Sequence, residues 1–242
     1  MDCARFYCEC ITEPVTELAG SEGRHVVSVL RGRAGERVEL FDGNGGSAEA
    51  VIEAVSKGKV RLRVERFEVL EPRRSGRIVI AVSVAKGERF DRLIGKCTEL
   101  GVERIVPVIF ERTVKLAKNP RAVERWHLVA AAAAKQCRRV FLPRIDGPTR
   151  IADAIGRLRV DYRDAVCIVG SLSEGAVSIL DVEYGGRDVI AFVGPEGGLT
   201  EAEEQLLAEK GCRGVRLTDT VLRIETAAEA IAAILATIRI NR

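Results

Sequence analysis

The chain lacks the patterns that mark several common protein classes. No stretch of about eighteen apolar residues occurs, and the first ten residues are charged where a secretory signal would need an apolar core. We therefore expect a cytoplasmic protein with no membrane partner. The dinucleotide-binding pattern Gly-x-Gly-x-x-Gly and the phosphate-binding pattern Gly-x-x-x-x-Gly-Lys-Ser/Thr are also missing. A ligand held mainly through phosphate groups is not expected.

Cysteine and histidine are sparse and poorly spaced for cross-links or metal sites. The seven cysteines form no Cys-x-x-Cys pair, which favours reduced thiols over a disulfide framework. Cys3, Cys8 and Cys10 form the tightest group, and zinc ligation is the alternative to small buried apolar side chains. Neither of the two histidines lies near them in sequence, so we expect no metal.

Basic residues are concentrated in the second part of the chain. Residues 1–72 hold 10 Lys and Arg against 13 Asp and Glu, a net charge of −3, whereas residues 73–242 carry +6. Nine basic residues and a single acidic residue, Glu124, lie between Arg112 and Arg144. A merely solvated helix face usually mixes both signs, so this segment favours contact with nucleic acid.

The periodicity of apolar residues changes near residue 72. Residues 4–69 read as short alternating strands with turns at Asp42-Gly43, Gly45-Gly46 and Lys57-Gly58, plus one short helix before RVEL, which outlines a small β-barrel. The segment EPRRSGR breaks this pattern. Continuous apolar runs then alternate with helical spacing, which predicts a parallel α/β sheet. Asn119-Pro120 predicts the start of one helix, which runs to about Arg138. Thr200 and Glu203 predict a capping box at the start of another helix.

Three loops follow predicted parallel strands, after Val169, Val193 and Leu217, and read GSLSEG, GPEGGLT and TDTVLRIETAA. Ligands bind parallel sheets at the carboxyl ends of their strands. The middle loop offers close approach to its backbone and one carboxylate, Glu196. These groups suit a flat heteroaromatic ring with an amine-bearing tail, and a tight turn without a ligand is the alternative.

The motifs GPEGGLTEAE and VLRIETAA resemble those of the RsmE family, S-adenosylmethionine-dependent methyltransferases that modify N3 of a uridine in small-subunit (16S) ribosomal RNA. KGERFDRLIGKCTELGVERIVPV, AAAAKQCRR and HVVSVLRGRAGERVELFDG extend the resemblance over nearly the whole chain. Two segments depart from the family pattern. Residues 218–223 lack an arginine and a glycine that relatives usually carry. Residues 135–139 read Lys-Gln-Cys-Arg-Arg, where relatives tend to carry Glu-Gln-x-Gly-Arg.

The resemblance implies an α/β fold of the SPOUT class, an α/β-knot in which a parallel sheet contains a trefoil knot, preceded by a PUA-like RNA-binding β-barrel. We place these domains at residues 73–242 and 1–72. The resemblance also implies S-adenosylmethionine as the cofactor and 16S ribosomal RNA or the small ribosomal subunit as the partner. A homodimer is expected, with the cofactor pocket completed near the subunit interface.

The chemistry of methyl transfer, the three loops and the basic segment give the predicted site residues. Arg223 is the predicted catalytic cation for the uracil oxygens, and Glu225 orients it or acts as base; a structural salt bridge between the two is the alternative. The predicted cofactor-binding residues are Leu172, Gly194, Glu196, Gly197, Gly198, Leu217, Leu222, Ile224 and Thr226. The predicted contacts to the RNA backbone are Arg112, Lys115, Arg138 and Arg139.

Other functions remain open. Another SPOUT methyltransferase would act on transfer RNA or on a ribose 2′-oxygen. A non-catalytic RNA-binding module is conceivable because of the missing arginine. A nucleotide hydrolase is disfavoured by the absent phosphate-binding pattern.

Overall fold

The computed structural model describes residues 3–56, 58–85, 87–113 and 121–240, which divide into two compact units. The first unit comprises Met1–Pro72 and Ala134–Leu142, and the second comprises Arg73–Ala133 and Pro143–Arg242. The segment Ala134–Leu142, assigned from the sequence to the second domain, thus packs within the first unit.

A five-stranded mixed sheet forms the first unit. Its strands are β1 (Ala4–Tyr7), β2 (Val15–Leu18), β3 (Arg37–Phe41), β4 (Gly46–Ser56) and β5 (Lys59–Val69), in the order β1-β3-β4-β5-β2. β1 is parallel to β3 and the other pairs are antiparallel. Phe6 of β1 and Leu18 of β2, the two edge strands, share one buried core. The Thr16 hydroxyl of β2 donates to the carbonyl oxygen of Cys10, which follows β1, at 3.2 Å. The sheet therefore curls towards closure.

Local sequence signals account for the connections in this unit. The predicted short helix is α1 (Gly20–His25), which continues as a π-helical turn, Val26–Leu30. In the predicted turn between β3 and β4, Asp42 Oδ1 accepts from the Asn44 and Gly46 amides at 2.7 and 2.8 Å, a local bond typical of aspartate in turns. Lys57, in the next predicted turn, lies outside the described residues.

Residues 134–142 complete the first unit by pairing with its β3–β4 turn. The Leu142 amide donates to the Gly43 carbonyl oxygen at 2.8 Å, and Phe141 forms isolated bridges with Gly43 and Asn44. Arg5 of β1 donates to the Arg139 carbonyl oxygen at 3.1 Å. These backbone contacts explain why a segment distant in sequence belongs to this unit.

A parallel sheet with helices forms the second unit. Its strands are β6 (Ile78–Ser83), β7 (Arg104–Ile109), β8 (Arg144–Ile145), β9 (Thr149–Arg150), β10 (Val166–Gly170), β11 (Val177–Ser178), β12 (Val189–Val193) and β13 (Cys212–Arg216). The order is β11-β13-β10-β12-β6-β7-β8, with β9 also pairing with β7, and every described ladder is parallel. The helices are α2 (Glu88–Glu99), α3 (Ala122–Gln136, whose last three residues belong to the first unit), α4 (Ile151–Asp161), α5 (Glu201–Glu209) and α6 (Ile224–Ile240).

Helices cover both faces of this sheet. Val79 and Ala81 of β6 pack in one buried cluster with residues of α4 and α5. The alternate residues Ile80 and Val82 are equally buried and point to the opposite face, because side chains alternate along a strand. There α6 packs on β6 and β12, and α2 packs on α6. The predicted strand with two buried faces is confirmed.

The structure corrects some expectations from the sequence. Cys167 and Cys212 form a disulfide, so the prediction of reduced thiols throughout is wrong. The two lie opposite each other on β10 and β13, with Cα atoms 4.4 Å apart. Cys8 is a buried thiol as expected, whereas Cys10 is exposed. The predicted helix start at Asn119-Pro120 lies outside the described residues, and α3 ends at Gln136.

Candidate active site

Three loops meet at the carboxyl edge of the parallel sheet. β10 lies between β13 and β12, so the loops that follow these strands are neighbours. Together they enclose a cavity of about 750 Å³, within the usual range for small-molecule sites. The structure thus brings together the loops that follow Val169, Val193 and Leu217, as the sequence predicted.

The middle loop, residues 194–199, forms a glycine loop. Its Gly198 amide donates to the Pro195 carbonyl oxygen at 2.9 Å and closes a tight turn. Gly198 has φ +73°, a left-handed conformation that favours glycine. A Cβ at Gly194 would lie 3.0 Å from Leu199 Cδ2, which leaves little space for a side chain. The backbone of the loop is therefore exposed to the cavity because glycine occupies these positions.

Arg112 holds the glycine loop from the side. Its Nη1 donates to the carbonyl oxygens of Gly197 and Leu199, at 2.9 and 3.2 Å. These two hydrogen bonds fix the backbone on both sides of Gly198. Sequence reasoning assigned Arg112 to RNA and missed this contact, because its partners lie 85 and 87 residues away.

The buried Glu203 fixes the end of the glycine loop. It completes the predicted capping box of α5: its Oε2 accepts from the Thr200 amide at 2.9 Å and the Thr200 hydroxyl accepts from the Glu203 amide at 3.4 Å. The other oxygen, Oε1, accepts from the Glu111 amide at 2.8 Å. One carboxylate thus joins the helix start to the segment after β7, a second role that no local pattern reveals.

Most of the predicted cofactor residues line the cavity. They are Leu172, Gly194, Glu196, Gly197, Gly198, Leu217, Leu222 and Ile224. Thr226 is exposed on α6 and is not among the lining residues. Sequence reasoning did not assign to the cofactor the other lining residues of the same loops, which include Ser171, Ser173, Thr218, Thr220 and Val221. Apolar walls beside an exposed loop backbone suit a flat ring with polar edges.

The two predicted catalytic residues have different surroundings. Arg223 is exposed immediately before α6, between the cavity-lining Leu222 and Ile224. Glu225 is buried in the first turn of α6. In the described part of the chain, no ion pair joins Arg223 to Glu225, so the salt bridge considered as an alternative is not formed. Glu225 instead pairs with Arg89.

Arg89, in the first turn of α2, is a functional candidate that sequence reasoning missed. Its Nη1 lies 3.3 Å from Glu196 Oε1, and its Nε lies 3.8 Å from Glu225 Oε1. Arg89 therefore contacts one carboxylate of the glycine loop and one at the start of α6. Spacing in the sequence gives no signal for either contact, since both partners are more than a hundred residues away.

The predicted RNA-binding residues are distributed over both units. Arg138 has φ +61° and pairs with Glu39 at 2.7 Å within the first unit. Arg139 accepts the bond from Arg5 through its carbonyl oxygen. Lys115 lies outside the described residues. The RNA contacts of all four residues, including Arg112, stay predictions.

Within the described ranges, no group of three or more His, Cys, Asp or Glu side chains is placed to hold a metal ion. In the same residues, no helix combines the length and the apolar character needed to cross a bilayer.

Comparison with known proteins gives consistent matches. The family model described as "RNA methyltransferase domain" matches residues 72–236, and that described as "RNA methyltransferase PUA domain" matches residues 18–65. The chain is 31% identical to ribosomal RNA small subunit methyltransferase E of Mycobacterium tuberculosis over 229 residues, covering 92% of this chain and 87% of the relative. Identity to the protein of the same name from Bacillus subtilis is 30% over 223 residues, covering 88% and 86%. The crystal structure of a ribosomal RNA small subunit methyltransferase E from Neisseria gonorrhoeae, bound to S-adenosyl methionine, matches with a TM-score of 0.87 and 28% identity over 98% of each chain.

Proposed function

Because the chain belongs to the ribosomal RNA small subunit methyltransferase E (RsmE) family, we propose that its cavity at the carboxyl edge of the sheet is the cofactor site of this enzyme. The protein is an S-adenosylmethionine-dependent methyltransferase acting on N3 of a uridine in small-subunit ribosomal RNA. The predicted SPOUT class and PUA-like N-terminal domain are confirmed. The trefoil knot and the domain boundaries stay predictions.

The observation that carries the proposal is the exposed glycine-loop backbone facing apolar walls in one cavity. S-adenosylmethionine, when bound, supplies an electrophilic methyl group on a positively charged sulfur. We assign the backbone at Gly197 and Gly198 to the polar edge of its nucleoside, and Leu172, Leu217 and Leu222 to the faces of the adenine ring. Glu196 is placed to attract the amine of the tail. These residues hold and orient the ligand, which is the main requirement of a displacement reaction.

Arg223 acts on the other reactant, the uridine. The neutral imide of uracil is a poor nucleophile, so the reaction needs the base after its N3 proton has passed to solvent. The negative charge is then shared by N3 and the exocyclic oxygens O2 and O4. A guanidinium keeps its charge at all working pH values and can donate to those oxygens. Arg223 suits this role because it is exposed beside the cavity rather than paired with Glu225. Glu225 then serves to anchor the start of α6.

The reaction is tested with purified protein, S-adenosylmethionine and small ribosomal subunits that lack the modification. Mass spectrometry of the nucleosides is expected to detect new N3-methyluridine. A methyl group on transfer RNA or on a ribose 2′-oxygen would instead support another SPOUT activity. Failure of the protein to bind S-adenosylmethionine in calorimetry would support a non-catalytic RNA-binding module.

The role of Arg223 is tested by Arg223→Ala. Loss of one donor to a developing negative charge lowers the rate by about 10²-fold, so we expect this fall in single-turnover rate with unchanged cofactor affinity. Arg163→Ala is the matched control, because Arg163 is another exposed arginine but precedes β10 at the opposite edge of the sheet. Weakened cofactor binding in Arg223→Ala, with a normal rate at saturation, would contradict a catalytic role.

RNA contact by Arg138 and Arg139 is part of the same proposal. Each phosphate contact removed should lower the slope of log affinity against log salt concentration by roughly 0.7 to 0.9. Binding of 16S ribosomal RNA by Arg138→Gln and Arg139→Gln, measured between 50 and 200 mM salt, tests this expectation. An unchanged slope would exclude these side chains from the phosphate contacts.

A homodimer and a cytoplasmic location complete the proposal. Two apolar side chains at the cavity, Leu172 and Val221, are 48% and 78% exposed, which supports a partner surface beside the site. Sedimentation velocity is expected to give a dimer, and Val221→Glu should shift it towards the monomer. A wild-type monomer at micromolar concentration would oppose the proposed dimer.

A further inference from the structure

Arg89 joins the two walls of the cavity without lining it. Its Nη1 contacts Glu196 of the glycine loop at 3.3 Å, and its Nε contacts Glu225 of α6 at 3.8 Å. Because separate nitrogens of one planar guanidinium make the two contacts, both can exist at once. The glycine loop and the start of α6 are thus tied through a single side chain.

The contact with Glu225 is the more protected of the two. The Glu225 side chain is only 10% exposed, whereas that of Glu196 is 54% exposed. Glu225 Oε2 is buried and has no hydrogen-bond partner among the described residues. A buried carboxylate with few partners depends strongly on the cation that remains, so Arg89 is the group that compensates its charge.

We propose that Arg89 is a positioning residue that sets the separation between the glycine loop and the start of α6. The inference rests on the proposed cofactor site. Gly197 and Gly198 line the cavity on one side, and Leu222 and Ile224 line it just before and at the start of α6. A ligand that contacts both walls binds best when their spacing is already correct in the free protein. Arg89 therefore favours cofactor binding through Glu196 and Glu225.

Arg92 provides the matched control. It lies one turn further along α2 and its Nε is 3.4 Å from Glu229 Oε1, also on α6. Arg92 thus forms the same kind of bridge between α2 and α6, but no described ion pair or hydrogen bond connects it to the glycine loop. Replacing either arginine with glutamine removes one cation from α2 and one bridge to α6.

The test is calorimetric titration of the full chain with S-adenosylmethionine. Arg89→Gln is expected to bind the cofactor about three- to tenfold more weakly, because it loses two partly exposed ion pairs. The affinity of Arg92→Gln should stay within about twofold of wild type. Wild-type affinity in Arg89→Gln, or equal weakening by Arg92→Gln, would overturn the inference. If wild type itself does not bind the cofactor, the proposed function fails instead.

A double-mutant cycle separates positioning from a loss of fold. Glu196 is exposed, so Glu196→Gln is expected to keep the fold and offers a second way to break the tie. If Arg89 acts partly through Glu196, Arg89→Gln should weaken binding by a smaller factor in the Glu196→Gln background than in wild type. Independent, multiplying effects would refute the tie to the glycine loop.

Discussion

Replacing Gly198 with alanine tests whether the conformation of the glycine loop is built into the folded protein. Gly198 has φ +73°, where an L-residue costs about 1–2 kcal/mol. There is space for the added methyl group, because the nearest atom to a Cβ at this position is Arg112 Nη1 at 3.9 Å. The penalty therefore comes from the backbone alone.

The hydrogen bonds from Arg112 decide where this penalty is measured. They hold the carbonyl oxygens of Gly197 and Leu199, on both sides of Gly198, so the loop should keep its conformation. The free energy of unfolding should then fall by about 1–2 kcal/mol, which lowers Tm by about 2–8 °C in a protein of this size. If the loop relaxes instead, the same free energy appears as cofactor binding weakened about five- to thirtyfold.

Calorimetric melting and titration with S-adenosylmethionine measure both quantities. Gly197→Ala is the control, because Gly197 does not have a left-handed φ and a Cβ there would meet carbon atoms of Arg112 at an ordinary 3.5 Å. We expect changes of less than half the size for this variant. Equal losses in both variants would show that a methyl group in the cavity, rather than the backbone angle, is responsible. No loss in Gly198→Ala would refute the reasoning.

Three further predictions concern stability, each measured by chemical or thermal unfolding. Cys212→Ser opens the disulfide to Cys167, which closes a segment of 45 residues, and should cost about 4 kcal/mol; a loss below 1 kcal/mol would contradict this. Asp146→Ala removes two hydrogen bonds from the buried Arg104 and should cost about 3 kcal/mol, and an unchanged Tm would count against it. Burial raises the pKa of Tyr184 from 10.0 to about 12, so the folded state retains the phenol proton more strongly. The contribution of Tyr184 to the free energy of unfolding is present below pH 10 and is lost as the pH rises towards 12. Tyr184→Phe should not show that loss.

Features set by neighbouring residues could be predicted from the sequence. The capping box of Thr200 and Glu203 needs only a three-residue spacing, and it is present. The glycine corner followed from a strand, a cluster of glycines and a helix start in succession. One local signal was overlooked: Ile151, Ala154, Ile155 and Leu158 have helical spacing and form the buried face of α4.

Features that depend on strand order could not be predicted in this way. The disulfide requires β10 to lie beside β13, although β12 comes between them in the chain. The contacts of Arg89 and Arg112 depend on which loops become neighbours at the sheet edge. A charged residue in a sequence can be exposed, paired or bound to a ligand, and only the three-dimensional arrangement distinguishes these cases. Arg112 illustrates this, because its basic surroundings in sequence suggested RNA alone.

The composition of the first unit has a consequence for the order of events during synthesis. A chain emerging from the ribosome at Pro72 already contains β1 to β5 but not Phe141 or Leu142, which pair with the β3–β4 turn. At common rates of translation, these residues follow on the order of 10 s later, after β6 and β7 have been made. The first unit therefore reaches its final contacts only when part of the second unit has already left the ribosome. Folding of the two units overlaps in time and is not strictly sequential.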